Sequence, residues 1–187
     1  MKLQMWKALA VVLALWLTAS VVAQRTHSNA AVLTATEIDA VRKGASGDIQ
    51  MIVTDAGSYN IGLATMKREY TGKPESAIVH AQVTEIYYIT DGSGTLLLGG
   101  AVKDPQVLAP DSNVVRVLAG PTTMGGTVQN GETRKIRKGD FVVIPAGVQH
   151  SFSSIDGSIE YLMVRVDGDR VLPTGLVHDI VTQTRAQ

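Results

Sequence analysis

The chain has 187 residues, 45% of them hydrophobic, which suits one globular domain with a sizeable core. Lys plus Arg equals Asp plus Glu at 17 each, and no basic stripe with interleaved aromatics occurs, so the electrostatic footprint of a nucleic-acid binder is missing. Cysteine is absent, which excludes a disulfide framework and any thiolate metal site.

Residues 1–23 differ in kind from the rest. Lys2 and Lys7 precede an uncharged run from Ala8 to Leu17, and small residues follow at Val21 and Ala23 in the order of a secretory signal peptide cleaved near Ala23. This predicts an exported protein, periplasmic or extracellular, with no stable membrane span after processing. The alternative is an uncleaved N-terminal membrane anchor, because the uncharged stretch from Ala8 to Gln24 is near the short limit for spanning a bilayer. Residues 24–33 read as a loose polar and alanine-rich leader, and 34–187 as a single domain.

Thr34-Ala35-Thr36-Glu37 has capping-box spacing and opens a short helix with Ile38 and Val41 on one side and Gly44 placed to end it. From Asp48 the texture changes to short β-rich runs separated by Gly, Pro, Asn and Asp. They are IQMIV, YNIGLATM, SAIVHAQV, EIYYIT, GTLLLGG, VVRVLA, GGTVQ, TRKIR, DFVVIPA, HSFSS and IEYLMVRV. Such spacing predicts an all-β sandwich or barrel. Asn130-Gly131 predicts a hairpin between GTVQ and ETRKI, and Asp91-Gly92-Ser93-Gly94 a turn joining EIYYIT to TLLLGG. Val177 to Val181 reads as a short terminal element followed by a polar tail.

The stretch GDFVVIPAGVQH, residues 139–150, is the most informative. Phe141 and Val143 alternate with Val142 and Ile144, so both strand faces are expected to meet apolar surroundings. Pro145 cannot donate to a ladder and Gly147 permits a tight turn, which aims His150 onto the start of the next strand.

This stretch resembles the second motif of the cupin superfamily: Gly139, Pro145, Gly147 and His150 match every spacing, and only the final Asn is replaced, by Ser154. The first cupin motif is similar to HAQVTEIYYITDG, where Glu85 and Gly92 keep their separation but one imidazole is missing around His80. The resemblance covers about residues 75–166. It implies a double-stranded β-helix, a jelly-roll barrel with the short helix as an N-terminal addition, assembled as a homodimer. It further implies one divalent transition metal (Fe, Mn, Ni, Cu or Zn) on His80, Glu85 and His150, with Gln82 as an optional fourth ligand.

Two imidazoles and one carboxylate form the set that leaves open positions for substrate and dioxygen on Fe(II). Strand parity argues against the set, because residues 80 and 85 fall on opposite faces unless a bulge or break intervenes. Gln82, Tyr87 and Phe152 are the candidate lining of a substrate pocket. Tyr87 and Phe152, with Tyr88, are alternatively packing residues, and Met51, Met66 and Met163 read as core fillers. His27 and His178 read as surface residues. The activity implied is that of a metal-dependent oxidoreductase, dioxygenase- or oxidase-like, with a lyase or isomerase next. The competing reading is a metal-free barrel that holds a sugar or another small molecule.

Overall fold

A computed structural model describes residues 30–187, and the expected signal peptide with most of the leader lies outside them. Helix α1 (Ala35–Gly44) opens at Thr34, whose side chain accepts from the Glu37 amide while Glu37 reaches back to the Thr34 amide. Gly44 is its last residue rather than a left-handed cap. A Cβ there would lie 2.7 Å from Ile180 Cδ1, so glycine lets the C-terminal helix approach.

That helix is α2 (Asp179–Arg185), where the sequence suggested only a short element and a tail. His178 is its N-cap, accepting from the Ile180 amide. The two helices pack with Val41, Met51 and Val181 between them, and Arg185 Nε donates to Glu37 Oε1. No helix among the described residues is long and apolar enough to cross a membrane.

The remainder is β-rich. β1 (Asp48–Asp55), β2 (Asn60–Glu69), β3 (Ala77–His80) and β4 (Val83–Leu98) are followed by the two-residue strands β5 (Ala101–Val102) and β6 (Gln106–Val107). Then come β7 (Thr122–Gly125), β8 (Val128–Gln129), β9 (Glu132–Arg137), β10 (Phe141–Ile144) and β11 (His150–Asp167).

Two strands are long enough to serve two layers. One layer runs β1-β2-β11-β4-β10, using the second part of β11 and the first part of β4. The other runs β9-β4-β11-β3-β7-β6 with their remaining halves. The layers close over a core that includes Ile89, Leu96, Ile159, Tyr161 and Met163. Each such side chain contributes about 1.5–3 kcal/mol by leaving water.

The long strands correct the turn expected at Asp91–Gly94. β4 continues through it, and β11 likewise joins HSFSS to IEYLMVRV, its register slipping between Ile155 and Ile159 opposite the bend. Gly92 (φ 73°) takes the bend, since a Cβ there would meet Ser158 O at 2.0 Å.

The Asn130-Gly131 hairpin is also corrected. Asn130 has positive φ, but β8 pairs with β5 and β9 with β4, so the turn joins strands of different partners. Residues Val114–Ala119 form a π-helical turn rather than a strand. Finally, one apolar face of β10 is open among the described residues: Phe141 and Val143 are 69% and 60% exposed, because β10 is an edge strand and no other described element lies over its outer side.

Candidate metal centre

His80 ends β3, and the chain then bends at Ala81 and Gln82 before β4 begins. The bend is pinned on both sides: the Ala81 amide donates to Pro121 O and the Gly147 amide to His80 O, each at 2.8 Å. It supplies the break that parity required. β4 restarts with Val83, Glu85, Tyr87 and Ile89 inward, so Glu85 enters the barrel on the same side as His80.

The turn from Pro145 to Val148 returns the chain to β11, whose first residue is His150. His80, Glu85 and His150 are 6%, 2% and 5% exposed, and one potential ligand atom from each lies within 4.8 Å of the others. Glu85 Oε2 is 3.7 Å from His80 Nε2 and 3.6 Å from His150 Nε2.

Hydrogen bonds assign both imidazole tautomers. His150 Nδ1 faces the Val148 carbonyl at 3.1 Å, and a carbonyl only accepts, so Nδ1 carries the proton. His80 Nδ1 is 2.9 Å from Thr122 Oγ1, whose own proton is given to Gly120 O, so Nδ1 is again the donor. Both Nε2 lone pairs are left turned toward Glu85. Burial drives the His80 pKa down to about 4, with Glu85 opposing the shift, and burial lowers that of His150 also.

Glu85 is held as a carboxylate. Burial pushes its pKa up, but the Arg165 guanidinium beside it, with His80, His150 and the Tyr87 hydroxyl, brings it down to about 2. Arg165 Nε donates to Glu85 Oε1 at 2.9 Å and Tyr87 Oη to Glu85 Oε2 at 2.6 Å. Arg165, 1% exposed, is itself fixed by Gln50 Oε1 and Asp48 Oδ2.

Two unprotonated nitrogens thus face a carboxylate oxygen that Arg165 keeps charged and that accepts one proton from Tyr87, which leaves lone pairs from three side chains open to a cation. Ligands about 2.1 Å from a zinc-like ion are separated by roughly 3.0–3.6 Å at bond angles of 90–120°; the two Glu85–imidazole distances lie close to that range, and the three atoms together lie within 4.8 Å of one another. The donor set fits a divalent transition ion.

The other expected site residues are placed differently. The bend carries Gln82 outward, where Nε2 donates to Asp169 Oδ2 at 2.9 Å on the surface, so it is neither ligand nor lining. Tyr87 is buried and spent on Glu85, and Phe152 packs in the core near Tyr161, so neither presents a stacking surface to a substrate. A cavity of about 480 Å³ lies elsewhere, between the helices and β1, lined by Val32, Glu37, Leu176 and Arg185 among others.

Sequence reasoning missed Arg165, Asp48, Gln50 and Thr122. Arg165 left a signal: in EYLMVRVD it occupies the inward parity of Tyr161, Met163 and Asp167, a charge where the core should be.

Residues 127–176 match the family described as the AraC-like ligand binding domain. No curated protein sequence matches the chain. Among solved structures, a Bacillus halodurans protein is similar at 13% identity over 86% of this chain and 98% of its own, with a TM-score of 0.43. An uncharacterized Klebsiella pneumoniae protein with a double-stranded beta-helix domain aligns at 13% identity over 75% and 93%, with a TM-score of 0.41. A hydroquinone 1,2-dioxygenase from Sphingomonas aligns at 16% identity over 58% and 60%, with a TM-score of 0.39. By its strand topology the chain is a double-stranded β-helix, and over residues 127–176 it is similar to the AraC-like ligand binding domain.

Proposed function

We propose that the barrel holds one divalent transition ion on His80, Glu85 and His150 and acts there on a small organic molecule. The observation that carries this is the convergence of two Nε2 lone pairs on Glu85 Oε2 inside the protein. Such an ion supplies Lewis acidity and, if it is Fe(II), positions for a substrate and dioxygen. The chain's own part is to fix the imidazole tautomers through Thr122 and Val148, to keep Glu85 ionised, and to keep bulk water from the ligands. Oxidation with dioxygen is the favoured reaction class, and a lyase or isomerase reaction is next.

The test is dioxygen uptake by the Fe(II)-loaded protein over a panel of small phenols, hydroxy acids and sugars. Substrate-dependent uptake that His150→Ala abolishes is expected. Uptake equal in the variant, or none with any compound, would contradict the oxidative reading.

A second reading, a metal-free barrel for a small ligand, draws on Arg165, which already balances the Glu85 charge. Export is also part of the proposal, supported by Lys2, Lys7, the Ala8–Leu17 run and the small residues at Val21 and Ala23. N-terminal sequencing of the processed protein checks it, with a start at Gln24 expected. Self-association is proposed too, with the open outer face of β4 and β10 as the contact.

A further inference from the structure

Glu85 has two oxygens, and the structure divides them. Oε1 accepts from Arg165 Nε at 2.9 Å, and Oε2 accepts from Tyr87 Oη at 2.6 Å while facing His80 and His150. An ionised carboxylate offers about four lone-pair directions. Arg165 takes one direction on Oε1 and Tyr87 one on Oε2, so one is left on each oxygen; Oε1 is held against the guanidinium, and Oε2 is the oxygen that faces the imidazoles.

The guanidinium cannot swing away. Nη1 donates to Gln50 Oε1 at 2.9 Å, Nη2 to Asp48 Oδ2, and the stem is packed in the barrel beside Met163. Asp48, on β1, does not touch the cluster, yet its carboxylate lies against the far end of the same guanidinium.

Formal charges give this arrangement a consequence. With both imidazoles neutral, Glu85, Arg165 and Asp48 together carry one net negative charge, and Asp48 supplies it. A divalent ion seated on the trio is repelled by Arg165 and attracted by Asp48 through an interior in which such forces are weakly screened.

We propose, resting on the metal-site reading above, that Arg165 is a positioning residue that restricts Glu85 to one-oxygen ligation, and that Asp48 is a remote tuner of the ion's affinity. Held this way, Glu85 would offer an ion one oxygen, whereas a Glu85 free of Arg165 would have both to offer.

The experiment is a titration of the metal-free protein with Co(II), read by visible absorption, on wild type, Arg165→Gln and Asp48→Asn, with folding checked by circular dichroism. Four-coordinate Co(II) absorbs more strongly than five- or six-coordinate Co(II), so the band intensity reports denticity apart from affinity. Arg165→Gln is expected to bind Co(II) about tenfold more tightly with a weaker band, and Asp48→Asn about tenfold more weakly with the band unchanged, the size typical of residues behind metal ligands.

A folded Arg165→Gln protein with wild-type affinity and spectrum would overturn the inference, as would an Asp48→Asn protein with unchanged affinity. Should Arg165→Gln not fold, Arg165→Lys takes its place for the denticity claim, with a weaker band expected and an unchanged band overturning it, while Asp48→Asn, at a mostly buried side chain, decides the claim on affinity. A wild type that binds no Co(II) would overturn the metal-site reading itself, whereas a binding wild type with unresponsive variants overturns only this inference.

Discussion

Arg165 and Glu85, 80 residues apart in the chain, meet in the barrel interior with Nε and Oε1 2.9 Å apart, and both are almost fully buried. Burying two charges together costs desolvation that their attraction only partly offsets, so such a pair is weak evidence for stability. Its value here is to keep one carboxylate ionised beside two neutral imidazoles.

The metal-free protein should therefore lose stability on mild acidification. His80 titrates at about 4 in the fold and near 6.5 when unfolded, so between those values the unfolded chain binds the extra proton and stability is lost as the pH is lowered. Glu85, at about 2 in the fold, adds a loss between pH 4.5 and 2 by the same sign. Urea melts in chelator at pH 7.5, 6, 5 and 4 check this, and a midpoint that stays level from 6.5 to 4 would contradict it.

Two glycines of the cupin-like motifs should respond differently to alanine. Gly92 has positive φ, and a Cβ would lie 2.0 Å from the Ser158 carbonyl, so Gly92→Ala must move backbone and should cost about 3 kcal/mol or more. Gly139 also has positive φ but no atom within 4 Å of its added Cβ, so Gly139→Ala should cost only about 1 kcal/mol of strain. Denaturant midpoints of the two variants should be clearly separated, with Gly139→Ala the more stable.

Glu37 joins the two helices. It closes the cap of α1 through Thr34 and accepts from Arg185 of α2, and hydrogen bonds from the Thr34 amide and Arg185 lower its pKa to about 2. Glu37→Ala should lower stability by about 1–2 kcal/mol, the scale of a lost cap, without touching the trio. Thermal melts and Co(II) affinity measured together would separate these effects, and a change in affinity would argue against the assignment.

The outer face of β10 and β4 carries Phe141 and Val143 beside the half-exposed Tyr88, whose ring lies 4.7 Å from that of Phe141. Apolar groups clustered on a sheet face that no described residue covers are what the proposed self-association would bury. If this face makes the self-association proposed above, the wild type should scatter light as a dimer and Phe141→Lys as a monomer, and a mass equal in the two would remove this face as the contact.

The capping box of α1 was legible because its signal is local: Thr34 and Glu37 stand three residues apart and need no distant partner. The approach of His80, Glu85 and His150 was legible only in part. Their spacing pointed to one centre, but parity argued against it until the bend at Ala81–Gln82 reset the strand. The Asp91–Gly94 turn and the Asn130–Gly131 hairpin were misread because glycine marks where backbone bends, not which strands pair. VVRVLA carries strand-like residues yet forms a π-helical turn, local propensity giving way to tertiary context. The partners of Arg165 lie on β1 and β4, far away in the chain, so its inward parity was visible and its role was not.

The central claim is that this trio holds an ion, and metal content tests it most directly. Inductively coupled plasma mass spectrometry on protein from Gln24 onward, purified without a metal-binding tag, should find about one equivalent of Fe, Mn, Ni, Cu or Zn, the stoichiometry of a single three-ligand centre. His150→Ala should remove it. No stoichiometric metal in the wild type, even after anaerobic reconstitution, would contradict the account and leave a ligand-binding barrel.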